Sequence, residues 1–175
     1  GPPGFDAIEL LRLIDRAIRE SGMIDMKKLV IKPEEKVWTV FIDVYPLNDD
    51  GNLIDAANIA AVAALKSAKL PVLDKNFNIT EDKPKEPLPV SKEIAPISFS
   101  FFKLGNSIIL DPTREEQEAC ESRVTFGISK WNGQYMINSC QKSGKTPFTE
   151  EEIKDMMKII PKKLDELSEK LKKFL

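Results

Sequence analysis

Asp50-Gly51-Asn52-Leu53-Ile54-Asp55 stands where a polar turn runs into a helix of small apolar residues. Such a junction suits an anion, because free backbone N–H groups and the positive end of the helix dipole point the same way. Seating a phosphate there also calls for hydroxyl or cationic side chains, and Leu53, Ile54 and Asp55 supply none. A second set of chemistry-bearing residues lies earlier, at Arg12, Arg16 and Arg19. Spacing of i, i+4 and i+7 gathers them within a helical arc of roughly 60°. Two readings compete for this stripe. Asp15 with Arg19 and Arg16 with Glu20 are both i, i+4 pairs that would neutralise it. Alternatively, three planar guanidinium forks on one face grip phosphate oxygens, and Arg is chosen here in a chain otherwise richer in Lys.

Other chemistries are excluded by residue type. The 175 residues include no histidine, so Ser-His-Asp and Cys-His nucleophile pairs and histidine acid–base work are absent. Cys120 and Cys140 stand singly, with no CxxC pair to suggest zinc. No metal or other cofactor is implied. A net charge of −2 argues against a generic nucleic-acid coat but leaves room for a local basic stripe. No apolar run approaches the ~20 residues of a membrane helix, and unpaired thiols without a signal-peptide pattern suggest a cytoplasmic protein. Lys142-Ser143-Gly144-Lys145 lacks the GxxxxG of a P-loop and reads as a turn.

The elements that must position these groups alternate between helix and strand. Asp6 is expected to cap a helix from about Ala7 to Glu20, with Gly22 past its end. Lys28–Lys32 and Val37–Tyr45 read as a hairpin about the polar turn PEEK. VWTVFIDVY carries the β-branched and aromatic residues of a strand buried on both faces. A helix from about Ile54 to Ala68 follows. Residues 71–95, rich in proline and lysine, read as a connection between two halves, 1–70 and 96–175.

The second half is predicted as βαββα. Ile97–Leu104 and Ser107–Leu110 form a hairpin, and Pro112–Ser122 holds a short helix capped near Asp111 or Thr113. Val124–Ser129 and Tyr135–Gln141 form a second hairpin. Thr149 and Glu152 make a capping box that starts a closing helix, running to Phe174 with a kink expected at Pro161. Trp38 and Trp131 read as core and hairpin residues, and Met156 and Met157 lie at core spacing.

Three stretches in this order carry a resemblance: AIELLRLIDRAIRESGMID, KLVIKPEEKVWTVFIDVYPLNDDGNLIDAANIAAVAAL, and SIILDPTREEQEACESRVTFGIS followed by QKSG. Together they resemble the RNase PH family of phosphorolytic exoribonucleases, and within it the non-catalytic ring subunits of the archaeal exosome. The resemblance covers almost the whole chain outside the proline-rich connection. It implies an α+β fold of RNase PH type with βαβα half-domains. It further implies a first half that is ribosomal protein S5 domain 2-like and expected to be incomplete at its N-terminus, lacking leading strands.

The same resemblance gives the turn and the arginines a meaning. Active relatives hold the attacking phosphate with glycines followed by Ser/Thr and Arg. Against that pattern Gly51 is kept and Asn52 follows it; Leu53 stands for the hydroxyl, Ile54 for the arginine, and Asp55 adds a negative charge that repels a phosphate dianion. The segment matching Asp111–Val124 carries two aspartates in active relatives, where this chain has Gln117 and Arg123; Gln does not exchange protons usefully at neutral pH. Glu115, Glu116 and Glu118 remain nearby, and an active phosphate-dependent exoribonuclease working through Glu116 is the alternative reading. With catalytic residues absent, the resemblance implies a subunit that pairs with a catalytic RNase PH-like partner. Three such heterodimers close a ring under RNA-binding cap subunits, and Arg12, Arg16 and Arg19 line the path of single-stranded RNA.

Overall fold

The computed structural model describes residues 4–175. Helix α1 spans Phe5–Glu20, two residues earlier than the sequence suggests. Gly4 is its N-cap, so Asp6 lies in the first turn and favours the helix through the dipole rather than by capping. Gly22, at φ +69°, ends the helix in the left-handed region as expected.

A 3-10 turn over Met26–Leu29 replaces the start of the first predicted strand. Its Asp25 carboxylate accepts a hydrogen bond from Lys27 N, which winds the backbone locally. Strands β1 (Val30–Lys32) and β2 (Lys36–Val37) then form the predicted hairpin, with Val30 opposite Val37.

The long strand expected at Val37–Tyr45 is not formed beyond Val37. Residues 38–45 run without a strand partner among the described residues. Nor is it buried on both faces as expected: Trp38, Val40, Ile42 and Val44 are packed against the first core, while Phe41 and Tyr45 are exposed. Burial on both faces needs a layer on each side, and here only one side is covered.

Helix α2 (Leu53–Ser67) starts one residue before its predicted position. With α1 it forms the first core, in which Ile14 and Ile18 meet Ala57, Ala61, Val62 and Leu65. The irregular segment 71–95 is tied down by isolated bridges and contributes Leu88 to this core.

The second half is a four-stranded antiparallel sheet of order β4-β3-β5-β6. It comprises β3 (Ile97–Leu104), β4 (Ser107–Leu110), β5 (Ser122–Trp131) and β6 (Gln134–Gly144). The β5–β6 turn is Asn132-Gly133, both at positive φ, as a two-residue hairpin loop requires. Between β4 and β5 sits α3 (Arg114–Ala119), started by a capping box of Thr113 and Glu116.

Helix α4 (Glu150–Leu171) begins with the predicted Thr149–Glu152 box and continues as helix through Pro161. Its Met156, Ile160 and Leu164 pack on Ile97, Phe99, Phe101, Val124, Phe126 and Ile128. Side chains alternate across a strand, so Ser98, Ser100, Thr125 and Gly127 belong to the opposite face. That face of small residues receives α1 and α2. A Cβ built on Gly127 would stand 2.8 Å from the Ala17 Cβ and 2.5 Å from Ser139 Oγ.

Because Ala17 and Gly127 leave no spare volume, Gly127→Ala is expected to destabilise the fold by about 1–3 kcal/mol through overpacking. Urea unfolding of the two proteins checks this. A Gly127→Ala protein as stable as the parent would contradict the close approach of α1 to β5.

Candidate functional site

The turn before α2 is shaped by two left-handed residues, Gly51 at φ +96° and Asn52 at φ +49°. Gly51 N donates to Asp49 Oδ1 at 3.1 Å, a short Asx-type closure. A Cβ on Gly51 would fall 2.4 Å from Pro112 O and 2.7 Å from Arg114 N. The backbone leading into α3 therefore lies directly on the turn, which is why a glycine is needed there.

The N–H groups of such a turn are what an anion would bind. Asn52 N instead donates to the side-chain Oε1 of Gln117 at 2.9 Å. A neutral amide oxygen from α3 thus occupies this donor from within the chain. Arg114, whose backbone crosses Gly51, has its guanidinium bound to Glu118 at 3.0 Å. Glu116 is engaged in capping: its Oε2 accepts from Thr113 N at 2.9 Å, which explains that carboxylate without catalysis.

Ile54 is buried and Leu53 half-buried, so Ile54 serves the core rather than the turn. Asp55 corrects the expectation of an anion facing a phosphate site. Its residue is only 8% exposed, and its carboxylate turns into the protein. Oδ2 accepts from Ser100 N at 2.9 Å and from Asn52 Nδ2 at 3.0 Å, and Oδ1 accepts from Ser100 Oγ at 2.8 Å. The second proton of the Asn52 amide reaches Asp111 Oδ1 at 3.0 Å. The donors within its reach lie on β3 and at Asn52, which is the physical reason it turns inward. Burial raises the Asp55 pKa to about 6 against the opposing hydrogen bonds from Ser100 and Asn52, with the charge of Asp111 adding to the rise.

Gln117 and Arg123, grouped by the sequence as a lost acid site, have separate partners. Arg123 Nη2 donates to Glu9 Oε1 at 2.8 Å, with both side chains largely buried. This ion pair ties α1 to β5, and neither it nor Asp55–Ser100 was anticipated. A polar residue one turn into an apolar helix was the available signal for Asp55. Glu9, one of several acidic residues on α1, gave none. Among the described residues no group of three or more Cys, Asp or Glu side chains is positioned for a metal ion, and no helix is long and apolar enough to cross a membrane.

The arginine stripe divides. Arg19 donates to Asp15 at 2.8 Å, the predicted i, i+4 pair, and lies beside an apolar groove bordered by Leu11, Ile18 and Trp38. The other predicted pair, Arg16 with Glu20, does not form among the described residues. Arg12 and Arg16 share a separate groove of about 380 Å³. Phe5, Ile8 and Glu9 of α1 and Cys140 and Gln141 of β6 complete its walls. Neither arginine has an ion-pair partner among the described residues.

The raised Asp55 pKa has a testable consequence. The folded state holds this proton up to about pH 6, whereas an unfolded aspartate loses it near 3.8. Between those values the folded state binds more protons, so the contribution of Asp55 falls as pH rises and levels off above about pH 7. The stability difference between the parent and Asp55→Asn is expected to shift against the parent from pH 4 to 7. Urea unfolding across that range measures it, and a pH-independent difference would contradict the buried, neutral-leaning carboxyl.

Residues 1–71 match the 3′ exoribonuclease family, domain 1, and residues 95–159 match its domain 2. Exosome complex component Rrp42 of Methanosarcina acetivorans is 40% identical over 167 residues, covering 95% of this chain and 59% of that protein. The Pyrobaculum aerophilum protein of the same name is 43% identical over 178 residues, covering 100% of this chain and 63% of the relative. A solved structure described as the Archaeoglobus fulgidus exosome with RNA bound to the active site superposes with a TM-score of 0.81 at 38% identity, covering 95% of this chain and 63% of that one. An archaeal exosome core superposes at 0.75, also at 38% identity, over 88% of this chain and 58% of that one. The chain thus spans about three-fifths of the length of the relatives it matches. With both domain matches in order and the fold shared, the chain belongs to the 3′ exoribonuclease family of RNase PH type.

Proposed function

We propose that this chain is a non-catalytic ring subunit of an archaeal exosome. In this reading it shapes the active site of a catalytic RNase PH-like partner and guides single-stranded RNA there for 3′-to-5′ phosphorolysis. The observation that carries the non-catalytic assignment is the hydrogen bond from Asn52 N to Gln117. Phosphorolysis requires positive charge and free donors around the attacking phosphate. Here the donor is taken by an amide, Leu53 and Ile54 are apolar, and the neighbouring carboxylate of Asp55 faces the interior.

The partner arrangement is a heterodimer repeated three times, with RNA-binding cap subunits on one face and a cytoplasmic location. It draws on the Rrp42 relatives and on the RNA-bound exosome among the structural neighbours. RNA guidance falls to Arg12 and Arg16, whose guanidinium groups share one groove and are free to meet phosphates. Arg19, already paired with Asp15, contributes a weaker flanking charge.

Two measurements test the proposal. Incubated with phosphate and poly(A), the protein alone is expected to release no nucleoside diphosphate; release would end the non-catalytic assignment. In the ring reconstituted with an active subunit, Arg12→Glu combined with Arg16→Glu is expected to weaken RNA binding at least tenfold at low salt, with little change in stability because both residues are exposed. Unchanged RNA affinity and unchanged degradation would reduce the chain to an interaction module.

A further inference from the structure

Phe5 opens the groove that holds Arg12 and Arg16. It is 79% exposed on the first turn of α1, and Ile8, one turn on, is 45% exposed. An aromatic ring in that position adds nothing to either core. Along α1 the residues run Phe5, Ile8, Arg12 and Arg16 on one side of the groove, so an apolar platform precedes two cations. Glu9 shares the groove, but its carboxylate is held by Arg123 at 2.8 Å, which offsets its charge. The groove is therefore positive at one end and aromatic at the other.

That combination matches one ligand chemistry well. Single-stranded nucleic acid offers a phosphate at every step and an exposed π-face on every unpaired base. Arg12 and Arg16 are one helical turn apart, a rise of about 6 Å, suited to successive phosphates of an extended strand. We propose that Phe5 is a base-stacking platform, holding an unpaired base of the RNA whose phosphates lie on Arg12 and Arg16. The inference rests on the RNA-guiding role proposed above and adds to it a contact made to the base rather than the backbone. Stacking of this kind is tolerant of sequence, because every base has the same kind of face. It selects against duplex, whose bases are already stacked on one another.

The experiment uses the intact protein and two fluorescent oligoribonucleotides of equal length. One is oligo(A); the other carries abasic ribose phosphates along its whole length. Affinities are measured by anisotropy over a range of salt concentrations. Phe5→Ala is expected to weaken oligo(A) binding about fivefold or more while leaving the abasic strand unaffected and the salt slope unchanged. Phe5→Trp is expected to retain or tighten oligo(A) binding. Arg12→Ala with Arg16→Ala is expected to weaken both strands and to reduce the salt slope by about 1.4, the value for two single-strand phosphate contacts.

If Phe5→Ala binds oligo(A) like the parent while the double arginine variant binds it less well, stacking is overturned and the phosphate role stands. If the arginine variant leaves affinity and slope unchanged for both strands, the groove is not an RNA site and both proposals fall. Equal or absent binding of the two oligomers by the parent protein also overturns the stacking role.

Discussion

Asp55 reaches from the first turn of α2 to both donors of Ser100, and this join between helix and sheet sets the position of the turn before it. A carboxylate in an apolar setting is costly unless donors surround it, and Ser100 N, Ser100 Oγ and Asn52 Nδ2 provide them. Ser100 Oγ in turn meets Thr125 Oγ1 at 2.9 Å, extending the join to the next strand. Once α2 is held at this depth, Asn52 lies within reach of Asp111 and Gln117, and the backbone at Pro112–Arg114 closes over Gly51. The occupied turn follows from where the helix is pinned as well as from the side chains that line it.

The sheet accommodates this through the difference between its faces. Phe99, Phe101, Phe126 and aliphatic residues fill the side under α4, whereas Ser98, Ser100, Thr125 and Gly127 lie under α1 and α2. Small residues let the helix backbones come close, and they bring hydroxyls and free amides to meet Asp55 and Asn58. The contact of Ala17 with Gly127 and the Glu9–Arg123 pair then fix the rotation of α1. With Glu9 engaged below, Arg12 and Arg16 are the cations left along that side of the helix.

Much of this architecture was legible because its signals are local. Gly22, the Asn132-Gly133 turn and the Thr149–Glu152 box each name their own structure, and the elements beside them fall within a few residues of expectation. The strand at 37–45 failed for the opposite reason. Its β-branched and aromatic residues announce extended backbone, but pairing depends on a neighbour that a local pattern does not contain. At the candidate site, the missing hydroxyl and cation could be read from Leu53 and Ile54. The inward turn of Asp55 could not, because its donors lie 45 residues away on β3. Arg123 is similar: its partner, Glu9, is 114 residues distant. The Arg12, Arg16 and Arg19 stripe was visible as a spacing, but only the folded chain separates the pair that remains free from the one that Asp15 neutralises.

The stretch from Trp38 to Tyr45 carries a consequence for handling the protein. Beyond Trp38, whose N–H donates to Leu29 O at 2.8 Å, it joins no strand among the described residues, and Phe41 is 84% exposed on the outward side. Extended, open-edged, aromatic and short of charge, such a ribbon is a template on which further chains can add. Concentrated samples of the isolated polypeptide will therefore tend to associate through this ribbon, whose inner side borders the same groove as Arg19.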